Sequence, residues 1–415
     1  MRKILSAALA ALMLFSLLGC NKEAPATAPT TAPSTQEPVY TGFTVPKLME
    51  YPLYTFDYDP DAEDLRAMAI EAMRDLLSMQ WHTDIEIAYR KTGPASGKHY
   101  KHHPETIYCG TIYSNASTGI FQFLEFYDYQ TGLFSYPRSV NEMKEAVGNS
   151  CADSLLWAWS AVCPSITGGY YPSTMVYANG YRPVGDYEYD HRIQSYKQYP
   201  TNMIIEKNGI EKMLECYTMV KPADALVSST DDHAMMAIEA PHIEYTYEGT
   251  INLEKSYITI QDQRGGSGAG FYERNVDGNT LHYSGRIFYQ FTFKDLLEKN
   301  YIPVTTDEFL GVKAYEKPTL SMSNTNCKTL EDLLDATVSS NYPLAVVRAT
   351  YIEGNTTKAV GWELFSGAGM EGVPRSFTFR DMPSLKYYTR TGKGTLRIDV
   401  IIATGEQFTV AEVAG

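Results

Sequence analysis

Basic residues are in short supply in this 415-residue chain: 35 lysines and arginines face 49 aspartates and glutamates, a formal charge of -14. No basic stripe is present to neutralise phosphates, which excludes nucleic acid as a partner and leaves the acidity to speak for solubility. Cysteine is sparse as well, six in all, with neither a C-x-x-C nor a closely paired Cys/His spacing. A structural zinc site is excluded on that ground, and no metal and no cofactor are expected. Setting Cys20 aside leaves Cys109, Cys151, Cys163, Cys216 and Cys327, and five thiols cannot all pair within one chain. Internal repeats and a second apolar run of membrane-spanning length are also missing. What the chain does have is apolar and aromatic material, 44% hydrophobic and 13% aromatic with 32 tyrosines. Such a chain buries sizeable cores rather than staying disordered.

The opening "MRKILSAALAALMLFSLLGC" carries two early cations, an apolar run and then Leu17, Leu18, Gly19 and Cys20. It reads as a secretion signal, not as a fold element. Its ending resembles the bacterial lipoprotein signal, which implies cleavage before Cys20 and lipidation of that residue over residues 1–20. An ordinary secretory peptide cut elsewhere is the alternative. Residues 21–45, rich in Ala, Pro and Thr, cannot bury apolar surface and read as an extended tether. The implied location is extracytoplasmic, with the membrane reached through the lipid anchor.

Farther along, "DPDAEDLRAMAIEAMRDLLSMQ" predicts an amphipathic helix with Asp59 and Pro60 at its start. Helices are also expected near Thr118 to Tyr127, from Ser150 or Cys151 to about Val162, and across "EKNGIEKMLECYTM". Between Cys163 and Gln198 a Tyr-, Gly- and Pro-rich stretch is too long for a connector, and is expected to form a substrate-facing wall. From "ADALVSS" onward the period becomes that of strands. Helices first and strands afterwards imply α+β, over residues 46–316. Residues 317–415 alternate in short β runs between turn residues, the spacing of a β-sandwich domain.

One stretch concentrates chemistry. In "EAVGNSCADSLLWAWSAV" Cys151 stands where a buried helix begins, with Gly148 able to end a preceding helix and Asn149 or Ser150 able to cap. A helix N-terminus favours the thiolate, the reactive form of cysteine. The plain alternative is a small apolar residue packed where a core helix starts. A thiolate attacking a carbonyl also needs a base. Of the eight histidines, His233 opens a strand shortly after the cysteine helix and is the best candidate. His99, His102 and His103 share the loop "GKHYKHH" and are expected to be solvated, while His191 lies in the Tyr-rich stretch. The group orienting His233 is expected from "SYITIQDQ", where Asp262 is the natural carboxylate and Gln261 or Gln263 the amide alternative. Alternation places Asp262 on one face and the two glutamines on the other, without saying which points inward.

Over about residues 60–305 this order resembles the NlpC-type cell-wall peptidases of the papain-like superfamily. Members carry a glycine-x-proline-tyrosine stretch, a cysteine at a helix start, a proline-glycine-aspartate turn and a strand opening with histidine. Here "GTIYSN" supplies Gly110 and Tyr113, "NSCAD" supplies Cys151, "KPADALV" is similar to the turn, and His233 follows in order. Ile112, Ser150, Ala152 and Ala223 depart from the pattern, marking a divergent branch. The resemblance implies a papain-like fold, with helices packed on an antiparallel sheet and Tyr113 near the sulfur. It implies a hydrolase cleaving an amide bond in peptidoglycan stem peptides, with Cys151 as nucleophile, His233 as base and Asp262 or Gln263 behind it. Two other readings use the same residues: a non-catalytic lipoprotein binding wall peptide or glycan in the cleft, and an acyl transferase.

Overall fold

The computed structural model describes residues 59–90, 99–104, 106–114, 116–135, 147–167, 180–189, 200–264, 272–276, 279–366, 373–386, 388 and 394–414. All belong to one compact unit running from Phe43 to Gly415. Cys20, the leader, the tether and His191 lie outside the described residues. Among those described, no helix is long and apolar enough to cross a membrane.

The chain is α+β, with several antiparallel sheets. Its first helix, Ala62–Ser78, is capped by Asp61 rather than Asp59, because Asp64 falls at the third helical position and closes a capping box with Asp61. That helix turns Leu65, Ala69, Met73, Leu76 and Leu77 inward. The segment expected to form one helix around "EKNGIEKMLECYTM" is two, Thr201–Asn208 and Ile210–Thr218. Gly209 breaks it at φ 83°, a conformation that side chains with a Cβ resist.

A six-stranded antiparallel sheet organises the rest. Its order is Gly285–Thr292, Tyr257–Gln263, His233–Ala237, Ala225–Ser228, Ile302–Thr306 and Tyr181–Pro183. The turn between the second of the paired helices and the sheet is held by Arg66, fully buried, which bonds Asp224 Oδ1 at 2.8 Å and Pro222 O at 2.6 Å. Ala223 in that turn has φ 70°. It occupies the place where the resembled turn carries glycine, and the left-handed backbone is the physical reason glycine suits it. A four-stranded sheet, in the order Gln80–Trp81, Ile107–Cys109, Asn279–Tyr283 and Tyr272–Val276, begins with the strand that follows the first helix in the chain. There Trp81 donates to Gly110 O at 2.8 Å, fixing the start of the Tyr113 segment.

Toward the C-terminus lie two further antiparallel sheets, one of three strands and one of four. They share an apolar cluster that includes Leu333, Val338, Val347, Phe379, Ile398 and Val400. The same region sends Ala345, Val346, Val373, Ile401 and Ala403 into the core of the preceding residues. Polar ties cross as well: Gln122 donates to Phe365 O at 2.6 Å, Arg348 pairs with Glu125 at 3.0 Å, and Arg375 donates to Pro164 O at 2.6 Å.

Candidate active site

Cys151 is the first residue of the helix Cys151–Ser160. Ser150 caps it in extended backbone, its hydroxyl accepting the Asp153 amide while the Asp153 carboxylate accepts the Ser150 amide at 3.3 Å. Asp153 is buried and takes a further bond from Ser117 at 2.8 Å, so one carboxylate ties the cap to the loop before it. Trp157 and Trp159 anchor the helix, donating to Ser117 O at 3.1 Å and Ala223 O at 2.9 Å. The sulfur thus rides on a fixed support, at the end of a helix where unpaired amides point outward.

Gly148 has a different task from the helix-ending one expected of it. It allows two chain segments to touch: a Cβ there would lie 1.9 Å from Ile112 O. Across that contact Asn149 donates to Ile112 O at 3.0 Å and Ser114 donates to Asn149 O at 2.9 Å. Thr118 seals the other end, accepting the Gly148 amide at 2.7 Å. The pairing delivers Tyr113 to the side of Cys151, with which its hydroxyl interacts through a hydrogen bond. Burial, then the neighbouring thiol's charge, push the Tyr113 phenol well above its ordinary range, so the hydroxyl stays neutral and able to donate.

The histidine strand pairs with Tyr257–Gln263 in the register Met236 to Gln261 and Ala237 to Ile260. This register decides what alternation left open. Gln261 donates to Ile70 O at 2.9 Å, and Gln263 donates to Thr111 O at 2.8 Å while accepting from Ser154. Gln263 is therefore not the group behind His233; it braces the cysteine helix against the Tyr113 segment from the opposite face of its strand. Asp262 points the other way, and its Oδ2 lies 2.6 Å from His233 Nε2. With Nε2 so engaged, the Cys151 thiol also bears on the ring, through a hydrogen bond and through its charge.

His233 is 7% exposed and Asp262 fully buried. Burial acts to strip His233 of its proton, but the charge of Cys151 and the hydrogen bond that the ring donates to Asp262 outweigh it and hold the ring's pKa at about 9. Burial likewise favours the neutral form of Asp262, yet hydrogen bonds from His233 and Arg286 hold its pKa at about 2. Arg286 is the member of this group that sequence reasoning missed. It stands directly opposite Asp262 in the register of the adjoining strand. A signal was there, an arginine in second place in "GRIFYQFT", a strand two short strands beyond the one that carries the aspartate.

The remaining candidates fall elsewhere. His102, expected to be solvated, is buried against Trp81 and Tyr108 with ring centroids 5.1 and 4.7 Å away. Burial, aided by the charge of His103, pushes its pKa down to about 3, so it serves as a neutral packed ring. His103 is exposed beside Glu86 at 3.3 Å, and the side chain of His99 lies outside the described residues. Of the Tyr-rich stretch, the described Tyr181 and Tyr187 are core residues rather than a substrate-facing wall; residues 168–179 and 190–199 lie outside the described ones. Cys163 and Cys216 are buried free thiols, Cys327 is a half-buried one, and Cys109 is buried. Burial pushes the Cys163 and Cys216 thiols up, away from reactivity. Among the described residues no group of three or more His, Cys, Asp or Glu could hold a metal ion.

No family model, no curated protein and no solved structure matches this chain.

Proposed function

We propose that the chain is a cysteine hydrolase that cleaves an amide bond through a Cys151–His233 pair, with Asp262 orienting the imidazole. The observation that carries this reading is the placement of one histidine ring between a helix-start thiol and a buried carboxylate. A histidine whose pKa is held at about 9 favours the imidazolium at neutral pH, so the ring can keep the proton it takes from the thiol. His233 takes the thiol proton, and the sulfur attacks the carbonyl carbon. The resulting oxyanion is met by the Cys151 backbone amide and by the neutral Tyr113 hydroxyl. Collapse breaks the C–N bond, the leaving amine takes the proton from His233, and a thioester remains. Water then attacks, giving its proton to His233, and the acid leaves as the thiol is restored.

The helix packed on an antiparallel sheet, together with the order of Tyr113, Cys151 and His233, supports a papain-like, NlpC-type assignment. The substrate class proposed with it is the stem peptide of peptidoglycan, and the working place is a cell envelope, with Cys20 as the lipid anchor. The test is thiol labelling joined to product analysis. Iodoacetamide should modify Cys151 ahead of the other cysteines. His233→Ala should slow that labelling at least about tenfold, and stem-peptide fragments should be cut by the wild type but not by Cys151→Ala. Labelling indifferent to His233 would leave a binding protein. Acyl product appearing on an added amine in preference to water would make it a transferase.

A further inference from the structure

The carboxylate of Asp262 has two cationic neighbours, and the chemistry above uses only one. Arg286 Nε donates to Asp262 Oδ1 at 3.0 Å, and its Nη2 donates to Oδ2, the oxygen that also faces His233 Nε2. The guanidinium is itself buried and lies over the Tyr289 ring at 4.1 Å, with Phe291 at 5.2 Å. Its strand shifts register between Arg286 and Tyr289, and Phe288 inside that bulge adopts φ 59°. A bulge of this kind re-aims the side chains around it, here setting Tyr289 against the guanidinium plane.

The charges explain why a second cation belongs there. Once His233 has taken the thiol proton, thiolate, imidazolium, carboxylate and guanidinium sum to zero. Once the thioester has formed and His233 has passed its proton to the leaving amine, the sulfur is uncharged and the ring neutral. The carboxylate and guanidinium still sum to zero. Without the arginine, that second state would strand a fully buried carboxylate against a neutral ring, a strongly unfavourable arrangement. Resting on the reading above, we infer that Arg286 is a positioning residue that keeps Asp262 ionised and aimed at His233 through the steps in which His233 carries no proton. The other charged or titratable groups around this set are Cys151 from the helix, Tyr113 from the segment paired with it, Asp232 beside His233 in the chain, and Tyr301 with its partner Asp231 and with Arg264.

The test is nuclear magnetic resonance of the full chain, following the Asp262 carboxyl carbon and the His233 ring as pH is raised. In the wild type the Asp262 signal should stay at its ionised position while His233 loses its proton. A carboxyl that takes up a proton as the ring gives one away overturns the inference, and this readout needs no variant. In Arg286→Met, with the nearby like charge gone, His233 should titrate at least about one pH unit higher. Arg286→Lys, which keeps the charge, should restore most of the wild-type titration. A His233 titration that Arg286→Met leaves in place counts against the role, since a merely structural arginine would lower stability without moving it. Iodoacetamide labelling of Cys151 in the same samples separates the two claims. A Cys151 without selective reactivity in the wild type sinks the cysteine reading and this inference together, whereas a reactive Cys151 with an unmoved His233 sinks only the latter.

Discussion

A single alternation of side chains decides the chemistry available to this protein. Had the strand Tyr257–Gln263 slipped by one residue, an amide would stand behind His233 and Asp262 would face the helices. Because the carboxylate is the one that arrives, two opposite pH dependences follow. His233, whose pKa is raised, contributes stability that is full below its unfolded value of about 6.5 and is lost as pH rises through about 9. Asp262, whose pKa is lowered, contributes stability that is full above its unfolded value of about 3.9 and is lost as pH falls through about 2. Urea unfolding followed across pH should therefore show weakening on both the acid and alkaline sides, and Asp262→Asn should abolish the acid-side contribution and reduce the alkaline one, to which the Cys151 charge also contributes. A profile that the substitution leaves unchanged would break the link. Ala223 offers a second residue-scale outcome: its φ of 70° strains an alanine. Ala223→Gly should raise stability by about 0.5–1 kcal/mol, the relief of left-handed strain minus glycine's extra unfolded freedom. An unchanged or lower denaturation midpoint would contradict the strain.

Among the elements, the cysteine helix depends less on its own propensity than on what grips its first turn. The Ser150–Asp153 box satisfies its amides, Ser117 joins the same carboxylate, and the Gly148 contact brings in Tyr113. Gly148→Ala should therefore act at a distance from the residue changed. A Cβ driven against Ile112 O forces the two segments apart, costing about 2–3 kcal/mol and moving Tyr113 away from the sulfur. Both effects are measurable, the first by thermal unfolding and the second as slower turnover of the proposed stem-peptide substrate in protein that remains folded. Normal stability in the variant would mean that the close approach is not what holds the two segments.

At the scale of the molecule, the C-terminal sheets have an apolar cluster of their own and also finish the core that precedes them. Ala345, Val346, Ile401 and Ala403 would leave apolar faces bare if they were removed, and Glu125 would lose Arg348, the partner that opposes its burial. A fragment spanning residues 46–316 is thus expected to aggregate or to unfold without a sharp transition, while the chain that keeps residues 317–415 unfolds cooperatively. Light scattering and a thermal melt of the two proteins side by side make the comparison. A soluble fragment with a sharp transition would show that the first core closes without the C-terminal sheets.

Local signals settled what local physics controls. The helix beginning at Cys151, the strand opening at His233, the strand carrying Asp262 and the change from helices to strands can all be read from periodicity and from capping residues. Exclusions of the same kind, such as the missing basic stripe, need only composition. Tertiary structure decided whatever depends on which segments meet. Burial of His102 follows from packing against Trp81 and Tyr108, which no loop sequence announces. The choice of Asp262 over Gln263 follows from strand register, which the pairing of two distant segments sets. Arg286 joins the site only because its strand is the antiparallel neighbour of the aspartate strand, so that a residue 24 positions along the chain arrives at hydrogen-bond distance.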